Sequence, residues 1–126
     1  LIPVDFPIII KFKTNDLSVA IERASLLSFK DSMNSIVKLY LKPDNVVEIT
    51  SNSPEIGKVI EEIYPVEKAI GTPLKIAFSS KYFLDALKTF NSEEVYVKFT
   101  GEIRPFVLEG NDDLGLIQLI LPVRTE

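Results

Sequence analysis

Three adjacent acidic pairs, Glu61-Glu62, Glu93-Glu94 and Asp112-Asp113, are by type the side chains that could share a proton or activate water. Neighbouring residues of a strand point to opposite faces, so Glu61 and Glu62 cannot converge on one substrate. Asp112 and Asp113 fall in Gly110-Asn111-Asp112-Asp113, a segment where Asp is favoured for local hydrogen bonds. As a calcium loop, Asn111-Asp112-Asp113 lacks alternating oxygen ligands and the closing glutamate. Ser79-Ser80 precedes a helix, but the chain has no histidine to take a hydroxyl proton and no cysteine for a thiolate. Helix capping is the expected role of that serine pair. Only five glycines occur, none spaced to cradle a phosphate. No catalysis, cofactor or metal is expected; a carboxylate hydrolase is the weakest of the readings open.

The elements that position these residues belong to one compact domain. The chain has 126 residues, 46% hydrophobic and 25% charged, enough for a real core. No run of about 18 apolar residues exists, so no membrane partner is expected. The lack of cysteine suits a reducing cytoplasm. Met33 is the only methionine, which leads us to expect a domain cut from something longer. A net charge of -4 argues against broad nucleic-acid coating but leaves room for a local basic face.

Residues 1–7 hold two prolines and read as an extended interdomain linker, with the domain proper at 8–126. Ile8 to Lys13 is β-rich, and Asn15 or Asp16 can cap a helix reaching about Ser28. Leu17, Ala20, Ile21, Ala24 and Leu27 form its core stripe, beside a second one of Val19, Arg23 and Leu26. Leu26 and Leu27 lie about 100° apart. Either one wide face buries both, or Leu26 is exposed here and buried against a partner. Val37, Leu39 and Leu41, then Pro43-Asp44-Asn45, then Val47 and Ile49 make a hairpin. Glu55 to Tyr64 is a further strand.

Leu74 begins a buried strand running into a helix from Ser79 to about Phe90. Phe83, Ala86, Leu87 and Phe90 point inward, and Lys81, Asp85 and Lys88 outward. Strands at Glu94–Phe99, Pro105–Glu109 and Leu116–Leu121 complete the order. That order, strand, helix, three strands, occurs twice. The fold class is α+β: two helices packed on one face of an antiparallel β-sheet, with an internal pseudo-twofold repeat. Two surfaces remain: the lysine face of the second helix with Arg23, and an apolar end at Leu119, Leu121, Pro122 and Val123, where Arg124 could rim a groove.

Several motifs then occur in a telling order. They are Arg23-Ala24-Ser25-Leu26-Leu27-Ser28, Ser51-Asn52-Ser53-Pro54-Glu55, the stretch from Phe78 to Leu87, Phe99-Thr100-Gly101 and Leu121-Pro122-Val123-Arg124. Together they make essentially the whole chain resemble the third, C-terminal domain of the bacterial β sliding clamp, the processivity subunit of DNA polymerase III.

The resemblance implies a homodimeric ring of two three-domain subunits around duplex DNA. Helices line the hole, sheets form an acidic outside, and phosphates are held loosely without sequence reading. It places Arg23, Lys81 and Lys88 toward DNA, and Leu26, Leu27, Glu55, Glu61 and Glu62 at the contact between subunits. It also implies a groove for short peptides of the DNA polymerase III alpha subunit, the clamp loader and repair proteins. The matching wall is Leu1, Ser79, Tyr82, Ile103, Pro105, Leu119, Leu121, Pro122, Val123 and Arg124. Methionines common in the family at the positions of Leu121 and Val123 are absent, which narrows the peptides that fit. The chain ends Arg-Thr-Glu where the family has Arg-Leu. A cytoplasmic location on the nucleoid follows from the same likeness. The rival reading is a stand-alone peptide-binding α+β domain with no DNA role.

Overall fold

The computed structural model describes residues 6–25, 36–53, 57–113 and 115–124. Its elements are β1 (Ile8–Lys13), α1 (Thr14–Ser25), β2 (Ile36–Leu41), β3 (Val47–Ser53), β4 (Gly57–Ile63), β5 (Leu74–Ser79), α2 (Ser80–Leu87), β6 (Glu94–Phe99), β7 (Phe106–Gly110) and β8 (Ile117–Ile120). The two expected helices and the antiparallel strands are present. The strands divide into two four-stranded sheets, ordered β1-β6-β7-β8 and β4-β3-β2-β5, where one sheet was expected.

The division has a simple origin. Each half of the chain is a lead strand, a helix and a three-stranded meander, and the halves exchange lead strands. β1 pairs with β6 of the second half, and β5 with β2 of the first. Both pairings are antiparallel, so the repeat is expressed as an interlock between the halves.

Local chemistry explains the elements. In β2, Val37, Leu39 and Leu41 are buried while Lys38 is exposed, the period of two of a half-buried strand. The turn into β3 is closed by the Asn45 N–H on the Lys42 carbonyl at 3.0 Å, with Asn45 at φ 70°, a conformation asparagine tolerates. α1 follows β1 without a loop. Asn15 and Asp16 therefore sit inside its first turn and are not its caps; Asp16 there faces the positive end of the helix dipole. Thr14 Oγ1 donates to the Ser92 carbonyl at 2.9 Å, tying this start to the approach to β6.

Leu17, Ala20, Ile21 and Ala24 bury the expected stripe of α1; Leu26, Leu27 and the expected continuation to Ser28 lie outside the described residues. The helices pack against each other, α1 also against the second sheet and β1, α2 against β5 and β8. Phe78, Phe83, Phe106 and Phe99 form a chain of ring contacts at centroid distances of 4.7, 6.3 and 4.8 Å. This aromatic knot joins β5, α2, β7 and β6, and fixes α2 relative to both sheets.

Candidate functional site

The apolar end of the chain becomes one wall of a groove, and α2 becomes the other. Ser79 ends β5 and caps α2, its Oγ accepting from the Tyr82 N–H at 3.4 Å, so the serine pair serves the helix start. Tyr82, Asp85, Ala86 and Thr89 follow at helical spacing along one side of α2 and just past its end. Opposite them run Gln118 to Ile120 of β8 and the tail Leu121-Pro122-Val123.

Two hydrogen bonds hold the walls: Gln118 Nε2 to Thr89 Oγ1 at 3.1 Å, and the Val123 N–H to the Ala77 carbonyl at 2.8 Å. Pro122 has no N–H to extend the β8 ladder, which helps turn the tail across β5. The groove encloses about 580 Å³. Its apolar groups are poorly covered: Tyr82 and Leu121 are each 66% exposed, Leu119 43% and Val123 37%.

Six residues expected on the peptide wall, Ser79, Tyr82, Leu119, Leu121, Pro122 and Val123, are thus brought together. Ile103 and Arg124 line an adjoining hollow of about 520 Å³ with Lys38, Lys75, Ile76, Ala77 and Glu102, sharing Val123 with the groove. Glu102 accepts the Lys75 N–H there at 2.9 Å. Pro105 lines neither hollow, and Leu1 lies outside the described residues. Sequence reading missed Asp85, Ala86, Thr89, Gln118 and Ile120 as wall residues. The first three were within reach of it, since they share a helical face with Tyr82.

The helix cations are less free than expected. Arg23 Nη1 lies 3.8 Å from Glu61, and Lys81 Nζ 3.9 Å from Asp85. Lys88 is exposed where α2 ends. Asp16, Glu22 and Asp85 share the exposed helix surfaces with these three cations, so that side of the domain is close to neutral.

Each acidic pair has at least one carboxylate held by a structural partner. Glu61 turns toward α1, whereas Glu62 lies on the other face of β4, 3.8 Å from Lys42; Glu55 lies outside the described residues. Glu94 meets Lys11 at 3.2 Å. Asp113 accepts from the Ser92 hydroxyl and from the N–H groups of Ser92 and Asn91 at 3.0 and 3.1 Å. Those bonds, the hydroxyl's foremost, hold its pKa below the ordinary 3.8. The outer face of the second sheet displays exposed Lys38, Lys58 and Lys75 beside Glu48 and Glu62.

Fold and groove define a class: a two-sheet α+β domain with paired surface helices and a half-covered apolar groove between α2 and the terminal strand. Comparison with known proteins narrows it. The family described as DNA polymerase III beta subunit, C-terminal domain, matches residues 1–124, and the chain belongs to that family. The beta sliding clamp of Bacillus subtilis (strain 168) is 49% identical over 125 residues, covering 99% of this chain and 32% of its own length. That of Staphylococcus aureus (strain Mu50 / ATCC 700699) is 43% identical over the same shares. The crystal structure of the DNA polymerase sliding clamp from Bacillus subtilis matches with a TM-score of 0.90 at 48% identity, over 99% of this chain and 32% of that one. The chain therefore spans about a third of the length of these relatives.

Proposed function

We propose that this domain is one segment of a ring that encircles duplex DNA and makes a DNA polymerase processive, contributing docking surfaces and no catalytic group. The observation that carries the reading is the half-covered apolar groove between α2 and the terminal strand, in a chain of this family. Its exposed Leu and Tyr side chains suit the Leu or Phe anchors of short linear peptides, as from the polymerase alpha subunit, the clamp loader and repair proteins.

On the helix side, Arg23, Lys81 and Lys88 meet phosphates. Few cations, partly paired to carboxylates, give a weak and salt-sensitive hold that permits sliding. Retention on DNA then comes from closure of the ring. Closure is assigned to Leu26, Leu27 and Glu55, which lie outside the described residues, together with Glu61 and Glu62 of β4, the open edge of the second sheet. The linker at 1–7 joins the domain to the rest of its subunit, and the homodimer works in the cytoplasm on the nucleoid.

The test is retention. Full-length subunit assembled on nicked circular duplex by its clamp loader should co-elute with the circle at high salt, and be shed when one cut linearises it. Equal loss from circle and line would refute a topological tether.

A further inference from the structure

The outer face of the second sheet carries a feature that ring closure and apolar anchoring do not use. Lys38, Lys58 and Lys75, from three different strands, surround a trough of about 280 Å³ together with Tyr40, Glu48 and Thr50. All three lysines are exposed, and among the described residues none has a carboxylate within ion-pairing distance. Lys75 Nζ rests 4.7 Å from the Tyr40 ring centroid, which fixes its direction. Glu48, the one acid in the lining, is engaged by Lys42 at 3.3 Å and raises the pKa of that ammonium. A chain with net charge -4 thus concentrates unpaired positive charge here.

The trough continues the groove. Ser79, Ala77 and Lys75 alternate onto one face of β5. Ser79 lines the apolar groove, Ala77 the adjoining hollow, and Lys75 both that hollow and the trough. Val123 bridges the first two spaces, and Lys38 with Lys75 bridges the second two. Four residues of strand cover roughly 13 Å, so an extended peptide anchored in the groove reaches the lysines within about four residues.

We propose that this trough receives an acidic segment flanking the apolar anchor of a docked peptide. The inference rests on the groove being a peptide site. Charge complementarity and continuity with the groove favour a peptide over nucleic acid, because the face lies opposite the helices and the rest of the chain is acidic.

The experiment titrates full-length subunit with three fluorescent peptides at low and high salt. One carries a Leu-Phe anchor with neutral flanks, and the others add four acidic residues before or after the anchor. At least one acidic peptide should bind about tenfold tighter than the neutral one at low salt, the gain shrinking as salt rises. K38A/K58A/K75A should abolish that gain, leaving the neutral peptide's affinity and the melting temperature unchanged. Absence of a gain from either extension, or a gain that survives in the variant, overturns the inference. Failure of the neutral peptide to bind overturns the groove reading instead. A short duplex that binds the wild type and not the variant, with no peptide gain, reassigns the trough to nucleic acid and also overturns it.

Discussion

Leu121→Ala is the sharpest perturbation of the groove. Leu121 stands at the lip with 66% of its surface exposed, so the isolated domain gains little from it. Fully burying a leucine side chain is worth about 1.5–3 kcal/mol, and roughly two-thirds of that is still available to a partner that covers it. Alanine keeps only the first carbon, so the variant should lose roughly 1–1.5 kcal/mol of peptide binding, about five- to tenfold in Kd. Stability should change by no more than about 0.5 kcal/mol, since the site is exposed and no cavity forms. Fluorescence anisotropy of a Leu-Phe peptide on full-length subunit, beside a thermal melt, reads both quantities. Ile103→Ala is the control: Ile103 is 67% exposed but lines the neighbouring hollow, so its truncation should cost the anchor less. Wild-type affinity in L121A with weakened binding in I103A would refute the assignment of the anchor to the α2–β8 groove.

Three further expectations follow from other parts of the molecule. Leu26→Ala with Leu27→Ala in the full-length subunit should give a folded monomer by sedimentation equilibrium; an intact dimer would remove that leucine pair from the ring contact. Gly110→Ala should destabilise by about 1–3 kcal/mol in urea unfolding. Its new Cβ would meet the Asp113 carboxylate, lie 2.7 Å from Ser92 Oγ and 2.9 Å from the Phe90 ring. An unchanged midpoint would mean the Ser92–Asp113 knot yields freely. The pKa of Asp113 is lowered on folding, chiefly by the Ser92 hydroxyl. Its stabilising effect is therefore complete above the unfolded value of 3.8 and fades as pH falls through the lower folded value. Asp113→Asn should lower the melting temperature at neutral pH and flatten its decline below about pH 4; parallel wild-type and variant curves through that range would contradict the linkage.

Much of this architecture is written locally. The β2–β3 hairpin announces itself through alternation and a Pro-Asp-Asn turn, and both helices through their apolar stripes and the serine before α2. Strand pairing is not local. Alternation tells which face of β1 is buried but not that its partner, β6, lies in the other half of the chain, so two sheets look like one. The α1 start was misplaced for a related reason: Thr14 is held by Ser92, 78 positions away. At the groove, the apolar terminal strand was legible from the residues themselves, whereas Ser79 and Tyr82 entered only through the family resemblance. The lysine trough was not, since its three cations come from separate strands and meet only through register.

The most direct test of the central claim is a crystal structure of the full-length subunit bound to a polymerase tail peptide. The account predicts the peptide's Leu and Phe side chains against Leu119, Leu121, Val123 and Tyr82. A peptide seated instead in the hollow between Asp16 of α1 and Lys88 after α2, with the groove left open, would contradict it.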